Sequence, residues 1–326
     1  MPGPKPRTWL PLLGLLLTVL IWAGNNIVSK IILLEASPIL VALVRFTLAG
    51  LLFYLPVFLT LHRGEQRFAR SDWPRLLLLG TVGVAGSLLL HLLGLRTTPA
   101  TDAAIYSLMT PLFVLVLARL WFGERLNRVR MLGIAAALLG AALLAIGGAA
   151  GLGGGDLQGP LFLLSGSLVW SGYTVLSKEV LARRSPLLVL AAANLGAMAV
   201  IWPLAGLLGV WAELPRVLSW SPAAWGVMAY LVILMSMTSQ WLYVRSLRDL
   251  RTSQVSALLY TQPLFTALMA AAVLGELPTS VTVVAGLLIL AGVWLVNRPM
   301  PARRPPTGVA AASSGDPATS ATATSG

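Results

Sequence analysis

The chain has 326 residues, of which 57% are hydrophobic and only 10% are charged, and its formal net charge is +12. A soluble domain usually has about 25% charged residues, so this chain has too few charges to cover a surface that faces water. The basic residues lie in short clusters between apolar runs, with no basic face interleaved with aromatics, which argues for a membrane protein and against nucleic-acid binding.

Ten apolar runs follow one another along the chain, each close to the roughly 20 residues that a helix needs to cross a bilayer. We therefore predict an all-α polytopic membrane protein with ten transmembrane helices. In chain order, the predicted spans are Trp9–Ser29, Pro38–Leu61, Leu76–Leu95, Ala103–Phe122, Met131–Gly147, Leu157–Ser177, Leu187–Val210, Pro222–Val244, Ser253–Leu274 and Ser280–Val296.

The basic residues fall mainly in alternate connections between these spans. One set of connections and the two termini hold most of the 23 Lys and Arg residues, whereas the other set holds only Lys30, Arg96 and Arg216. Cytoplasmic segments are enriched in Lys and Arg. Both termini are therefore predicted to face the cytoplasm, and the protein is predicted to lie in the plasma (inner) membrane.

Two sequence blocks occur twice in the same order, which indicates a duplication. The matching blocks are Trp22-Ala-Gly-Asn-Asn-Ile-Val-Ser-Lys30 with Trp170-Ser-Gly-Tyr-Thr-Val-Leu-Ser-Lys178, and Pro111-Leu112-Phe113 and Gly123-Glu124 with Pro263-Leu264-Phe265 and Gly275-Glu276. Each copy holds five predicted spans, and an odd number makes the second copy enter the membrane from the opposite side. The prediction is two inverted-topology five-helix repeats, an arrangement typical of secondary transporters.

The duplication also predicts the domain organisation. A Gly-rich linker joins the two repeats, and it is not a phosphate-binding loop because no Gly-Lys-Ser/Thr follows it. The tail is rich in Pro, Ala, Ser, Thr and Gly and is predicted to be disordered. The expected segments are a cytoplasmic N-terminus at 1–8, a first repeat at 9–147, the linker at 148–156, a second repeat at 157–297 and a cytoplasmic tail at 298–326.

These repeated motifs resemble the EamA family of the drug/metabolite transporter superfamily, over roughly residues 10–297. The resemblance rests on the Trp-x-Gly…Lys segment in the first span of each repeat, on Arg45-Phe46 in the second span, and on the Pro…Gly-Glu pattern of the fourth. It implies a metabolite or drug exporter that works by alternating access, with a central cavity between the repeats. Ala193-Asn194 stands where the first repeat has Val44-Arg45, so an asymmetric cavity is expected.

Arg45 is the strongest candidate for a functional residue. It lies about seven residues, roughly 10 Å, inside the second span. A guanidinium at that depth costs roughly 2.5–3.5 kcal/mol on insertion scales unless it is paired or hydrated. Two interpretations stay open: a cavity residue that attracts a carboxylate or completes a gate, and a structural arginine that snorkels or bonds to backbone carbonyls. Arg119, near the cytoplasmic end of its span, is expected to snorkel.

Other polar and aromatic residues within the spans either hydrogen-bond between helices or line a cavity. His91 is weighed as a proton carrier against a structural role, and Trp22 and Trp170 either stack on a substrate or pack between helices. The full set of candidates for the substrate cavity is Trp22, Asn25, Asn26, Arg45, His91, Tyr106, Trp170, Tyr173, Asn194, Gln240 and Gln262.

Two prolines predict bends in the fourth span of each repeat. Pro111 and Pro263 each remove a backbone donor and free a carbonyl. Bent or broken helices often frame substrate sites in transporters. A kink that serves only helix packing is the alternative.

The carboxylates lie in loops or near span ends and predict no proton relay. Glu124 and Glu276 are expected to cap the following helix or to pair with a nearby arginine. Asp102 is expected near the outer surface, where it could pair with Arg96.

We therefore predict a secondary transporter that exports small amphipathic metabolites, with amino acids as the first candidates. The alternatives are a membrane channel, a non-transporting scaffold and, less favoured, a membrane-embedded transferase, since no His, Asp or Glu cluster suits acid–base chemistry. No catalytic residue, metal or cofactor is expected, because the chain has no cysteine and only two distant histidines. The expected partners are a small-molecule substrate and the lipid bilayer. A homodimer is not required, although Ala136-x-x-x-Gly140 suggests either close helix packing or a dimer face.

Overall fold

The computed structural model describes residues 9–62, 73–123, 127–147, 157–181, 186–250 and 252–297. All regular secondary structure in these ranges is helical, as predicted. The N-terminal part forms α1 (Trp9–Ile32), α2 (Pro38–His62), α3 (Trp73–Leu78), a first π-helical segment (Leu79–Gly86), α4 (Ser87–Thr97), α5 (Ala100–Ser107), α6 (Thr110–Phe122) and α7 (Arg128–Gly147).

The C-terminal part follows a similar order of elements. It forms α8 (Gln158–Leu181), α9 (Pro186–Leu207), a 3₁₀ segment (Val210–Ser219), α10 (Pro222–Ala229), a second π-helical segment (Tyr230–Thr238), α11 (Ser239–Asp249), α12 (Thr252–Leu259), α13 (Gln262–Leu274) and α14 (Ser280–Asn297).

Eight helical stretches in the described residues are long and apolar enough to cross a membrane. The shorter apolar helices Pro38–Tyr54 and Gln262–Leu274 lie within the predicted second and ninth spans and cover part of each. The chain is thus a multi-pass helical membrane protein, whereas the count of ten spans stays a prediction.

Glycine, proline and serine set several helix ends. α6 and α13 are each followed by a glycine, Gly123 and Gly275, with a φ of 68°. This left-handed conformation closes many helices, and glycine adopts it without a Cβ penalty. At the start of α10, Pro222 occupies the first turn, and the Ser221 hydroxyl accepts a hydrogen bond from the Ala224 amide. These end signals position the neighbouring spans.

The spans that contain Pro111 and Pro263 are each divided into two helices. Residues 108–109 form a turn between α5 and α6, and residues 260–261 form a turn between α12 and α13. Pro111 and Pro263 lie in the first turn of the second helix of each pair. Proline is favoured in a first turn because the missing N–H would have no helical partner there.

The two π-helical segments were not predicted from the sequence, because the apolar runs continue through them without a break. They lie at corresponding places, between α3 and α4 and between α10 and α11. In the second segment, the Ser236 hydroxyl donates to the Leu231 carbonyl, five residues earlier, at 2.9 Å. Such segments widen the helix locally and often occur at functional sites.

The helices pack mainly against partners from the other part of the chain. α1 contacts α11 and α13, α8 contacts α4 and α6, and α2 packs on α9. The largest buried apolar cluster includes Val41 and Phe46 of α2, Ala197 and Ile201 of α9, and Met228 of α10. The two parts of the chain therefore share one core.

α7 and α14 approach each other through small residues. A Cβ atom added at Gly133 would lie 2.6 Å from the Gly292 carbonyl, and one added at Gly140 would lie 2.8 Å from the Ala285 carbonyl. The backbones are thus nearly in contact, as in other membrane helix pairs with small residues at the interface. The Gly140 face predicted from the sequence is covered by α14 of the same chain.

Glu35 joins the connection after α1 to the start of α10. Its Oε1 accepts a hydrogen bond from the Ser221 hydroxyl at 2.5 Å, and its Oε2 accepts one from the Ser221 amide at 3.0 Å. The hydroxyl bond, and then the amide bond, lower the pKa of this exposed carboxyl from its ordinary value. Both bonds favour the ionised form.

The lowered pKa of Glu35 predicts a small, pH-dependent contribution to stability. A carboxyl with a lowered folded-state pKa stabilises the protein above its unfolded pKa, and this contribution is lost as pH falls through the lowered value. Glu35→Gln should therefore reduce the loss of thermal stability below about pH 4.5. Melting of the detergent-solubilised protein across this pH range measures it, with Ser221→Ala as the matched variant. A Glu35→Gln profile parallel to that of the unsubstituted protein would contradict the assignment.

Candidate functional site

Asn26 of α1 is the centre of a buried polar network. Its side chain is 2% exposed, its Nδ2 donates to the Ala100 carbonyl at 3.4 Å, and its Oδ1 lies 2.9 Å from His91 Nε2. An Asn26 oxygen accepts only from a protonated Nε2, so this geometry assigns the Nε2–H tautomer to a neutral His91. The network ties α1 to α4 and α5.

Two buried polar atoms on α1 and α5, helices that this network joins, have no hydrogen-bond partner in the described part of the chain. They are Asn25 Oδ1, one residue before Asn26, and the hydroxyl of Tyr106, whose side chain is fully buried. A buried polar group without a partner costs about 1–3 kcal/mol. Such atoms are suited to receive the polar groups of a ligand.

Arg45 of α2 is half-buried and points toward the second π-helical segment. Its Nη2 lies 3.5 Å from the hydroxyl oxygen of Ser236, which uses its own proton on the Leu231 carbonyl. His91 lies within Coulombic range of the guanidinium. No carboxylate pairs with Arg45 among the described residues. The guanidinium thus keeps most of its hydrogen-bonding capacity for another group.

Trp22 is held between the two parts of the chain. Its Nε1 donates to the Ser239 hydroxyl at 3.0 Å, and its ring lies 5.1 Å from the Tyr243 ring at a tilt of 49°. A second aromatic pair, Trp170 and Tyr173 of α8, stacks at 4.8 Å. The indole N–H of Trp22 is therefore satisfied by the protein, and its aromatic face is shared with Tyr243.

The remaining predicted residues lie in different surroundings. Asn194 is 7% exposed and donates to the Phe46 carbonyl at 3.0 Å, so it joins α9 to α2 beside Arg45 in the chain. Gln240 and Gln262 are half-buried, in α11 and at the start of α13. The structure thus brings Asn26 and His91 into contact with each other, and Arg45 lies near His91. Trp170 and Tyr173 form a separate pair.

Three residues that were not predicted from the sequence take part in these contacts. Ser236, Ser239 and Tyr243 hold Arg45 and Trp22 in place. The signal was present, because Ser236, Thr238 and Ser239 form a polar cluster within an otherwise apolar run. The α-helical periodicity predicts the wrong helix face for these hydroxyls, because the register shifts by one residue across a π-helical segment.

Two expectations about carboxylates were wrong. Glu276 pairs with Lys30 instead of an arginine, and Lys30 Nζ and Glu276 Oε1 lie 2.6 Å apart. Its Oε2 accepts a hydrogen bond from the Ala100 amide, so Glu276 caps α5 and not α14, the helix that follows it in the chain. Asp102 is 3% exposed and accepts a hydrogen bond from the Thr282 hydroxyl at 2.9 Å, and within the described ranges it forms no ion pair with Arg96. Glu124 lies outside the described residues.

The described residues contain no group of three or more His, Asp or Glu side chains that could hold a metal ion. The chemistry available at the site is therefore that of hydrogen-bond donors and acceptors, one guanidinium and aromatic faces. These groups suit recognition of a polar or anionic group beside an apolar one.

His91 is expected to serve the network as a hydrogen-bond donor. Gln in its place can also donate to Asn26, so His91→Gln should leave the pH dependence of the protein's activity unchanged. His91→Ala should lower thermal stability by about 1–3 kcal/mol, because it leaves Asn26 Oδ1 without a partner. A flattened pH profile in His91→Gln would instead assign a proton-carrying role to the imidazole.

Comparison with known proteins places the chain among transporters. The sequence model described as "EamA-like transporter family" matches residues 9–146 and 157–298. An "Uncharacterized transporter" of Archaeoglobus fulgidus is 31% identical over 87% of this chain and 96% of that protein. A "Probable terminal-alkyne amino-acid exporter" of Streptantibioticus cattleyicolor is 27% identical over 89% of this chain and 94% of that protein. A solved structure, "Crystal structure of protein", shares the fold at a TM-score of 0.55 and 21% identity, over 88% of this chain and 96% of that one.

Proposed function

The chain belongs to the EamA-like transporter family, and from this premise we propose that it is a secondary transporter that exports small amphipathic metabolites by alternating access. The cargo binds between the two repeats, with amino acids and related carboxylates as the first candidates. The proposed cargo site comprises Arg45, Asn25, Asn26, His91 and Tyr106, with Trp22 as an aromatic wall.

The observation that carries this proposal is the half-buried guanidinium of Arg45 within α2. No carboxylate pairs with it in the described ranges, and Ser236 contacts it only at 3.5 Å. A guanidinium in a membrane protein needs a partner or water. Carboxylates fit it well, because two parallel N–H groups meet the two carboxylate oxygens. A carboxylate on the cargo is therefore the proposed partner.

The proposed architecture is ten spans arranged as two inverted five-helix repeats, at residues 9–147 and 157–297 with the linker 148–156 between them. Two features support it. The family model matches the chain in two consecutive segments, and the interhelical contacts come in related pairs, since α1 contacts α11 and α13 while α8 contacts α4 and α6. Inverted repeats bind cargo at their interface, near the middle of the membrane.

We place the protein in the plasma (inner) membrane, with both termini in the cytoplasm. The concentration of Lys and Arg in alternate connections supports it. The end of the bundle with Lys30 and Glu276 then faces outward. Reactivity of single cysteines introduced into this cysteine-free chain, tested from each side of the membrane, decides the orientation.

Amino acids are the first candidates for the cargo for two reasons. The relative from Streptantibioticus cattleyicolor is named a "Probable terminal-alkyne amino-acid exporter". The site also combines a group for a carboxylate with aromatic side chains beside it, which suit an apolar or cationic cargo group.

The proposal is tested by flux in proteoliposomes. Amino acids, monocarboxylates and uncharged amines are loaded as a panel, and flux is measured for the unsubstituted protein and for Gln262→Ala, whose side chain is proposed to line the cargo path. Saturable flux of carboxylate-bearing compounds, reduced in Gln262→Ala, is expected. Flux of none of the panel would refute the transporter proposal, and unsaturable, unselective flux would favour a channel.

A further inference from the structure

Lys30, Glu276 and Ala100 form a compact junction at one end of the helical bundle. Glu276 accepts from Lys30 Nζ at 2.6 Å through Oε1, and from the Ala100 amide at 2.7 Å through Oε2. Both oxygens of one carboxylate are thus used, one by a cation and one by the first amide of α5. We name these three residues the clasp.

The clasp joins the two parts of the chain. Lys30 lies in the last turn of α1 and Ala100 begins α5, whereas Glu276 follows α13, just beyond the left-handed Gly275. The carboxylate also meets the positive end of the α5 helix dipole. If α13 moves away from α1 and α5, all of these contacts break together.

The clasp is reachable by water. The side chains of Lys30 and Glu276 are 22% and 24% exposed, so the ion pair lies at the rim of the bundle. Partly exposed ion pairs are much weaker than fully buried ones, because water competes for both partners. The clasp can therefore form and break reversibly.

Three buried hydroxyls within two residues of Lys30 or Ala100 have no hydrogen-bond partner in the described ranges. Ser29 adjoins Lys30, and Thr98 and Thr101 lie on either side of Ala100. They are 1%, 1% and 4% exposed. Buried hydroxyls nearly always find a partner in a stable packed core, so three exceptions this close to the clasp in the chain need a physical explanation. Opening of this end would bring water to all three.

We propose that the clasp is the outer closure of the transporter: it is formed while the cargo site faces the cytoplasm and broken when the site opens outward. The unpaired hydroxyls of Ser29, Thr98 and Thr101 line the path that opens. They lower the free-energy difference between the closed and the open arrangement, because they gain hydrogen bonds to water on opening. This inference rests on the proposed alternating access.

The first experiment measures the accessibility of the flanking layer. The chain has no cysteine, so Ser29→Cys introduces a single, nearly isosteric thiol beside Lys30. A membrane-impermeant maleimide is added to the outside of intact cells. The labelling rate is measured for Ser29→Cys alone and for Ser29→Cys combined with Lys30→Met and Glu276→Gln. We expect the labelling rate to rise at least about threefold when the clasp is removed, because the open population increases.

Glu35→Gln combined with Ser29→Cys is the matched control. Glu35 also connects the two parts of the chain at this end, through Ser221, but it does not touch the clasp. Its removal should leave the labelling rate of Ser29→Cys unchanged. Equal labelling rates with and without the clasp, or an equal rise with Glu35→Gln, would overturn the inference.

The second experiment tests whether the clasp must open for transport. Lys30→Cys and Glu276→Cys are joined with a reducible bifunctional thiol reagent that spans roughly the length of the two lost side chains. The flux of the cross-linked double variant should fall at least about tenfold and recover when the cross-link is reduced. The same reagent should leave the flux of each single cysteine variant unchanged. Undiminished flux in the cross-linked protein would show that the junction is only structural.

The two proposals fail in different ways. Labelling of Ser29→Cys requires no cargo, so a clasp-dependent labelling rate supports the closure even if no compound in the panel is transported. Conversely, flux of carboxylates together with clasp-independent labelling would keep the proposed function and reject the closure.

Discussion

Arg45→Ala is expected to weaken the apparent affinity for carboxylate-bearing cargo by roughly 10- to 150-fold, the largest effect among the site variants. The estimate follows from the roughly 1.5–3 kcal/mol that a hydrogen bond to a charged group contributes. The guanidinium has no carboxylate partner among the described residues, so its removal leaves no opposite charge unpaired in the protein. The KM for proteoliposome flux measures the effect.

Two comparisons separate a binding role of Arg45 from a structural one. Arg45→Lys keeps the positive charge but loses the planar fork, so its KM should lie between those of the parent and Arg45→Ala. Arg119→Ala, a change at an exposed position, should transport normally. A KM for carboxylates that does not change in Arg45→Ala would reject Arg45 as the binding residue, as would equal losses for carboxylates and their amides.

Gly292→Leu is expected to cause the largest loss of stability. A Cβ atom at this position would lie 2.8 Å from the Ala137 Cβ atom and would also collide with the Gly133 carbonyl. The backbone cannot yield as the end of a flexible side chain can, so α14 must move away from α7. Overpacking of this kind costs about 1–3 kcal/mol and occasionally more. The melting temperature and the monodisperse fraction in detergent measure the effect.

Gly226→Leu provides the matched control for this prediction. Gly226 is also helical, but no atom lies within 4 Å of a Cβ atom added there, and the residue is exposed. Leucine should be tolerated, with a gain of up to about 1 kcal/mol from its better helix propensity. Equal destabilisation in both variants would show that the contact between α7 and α14 is not tight.

The helices of this protein were predictable from hydropathy, because a lipid environment requires long apolar helices. The predicted second span begins at Pro38, as α2 does, and the predicted eighth begins at Pro222, as α10 does. The sequence also predicted the interruptions of two spans, because Pro111 and Pro263 lie just after the turns that divide them. The π-helical segments could not be predicted, since a change of hydrogen-bond register does not alter the pattern of a uniformly apolar run.

The candidate site was predictable in its residue types but not in its contacts. Polar residues stand out in apolar spans, so Asn26, His91 and Arg45 could be found by type alone. Which of them meet depends on the rotation of each helix, and one π-helical turn changes that rotation. The partnership of Lys30 with Glu276 was missed because the two residues lie 246 positions apart.

The lone guanidinium of Arg45 has an electrical consequence for the proposed cycle. An empty site carries its positive charge, whereas a site that holds a monoanionic cargo is neutral. A membrane potential that is negative inside acts on a full elementary charge with about 2.3 kcal/mol per 100 mV. It would therefore draw the empty site back toward the cytoplasm and leave the loaded site unaffected. Voltage would then drive anion export without a coupling ion, whereas a zwitterionic cargo leaves the charge unbalanced in both directions and gains no such advantage.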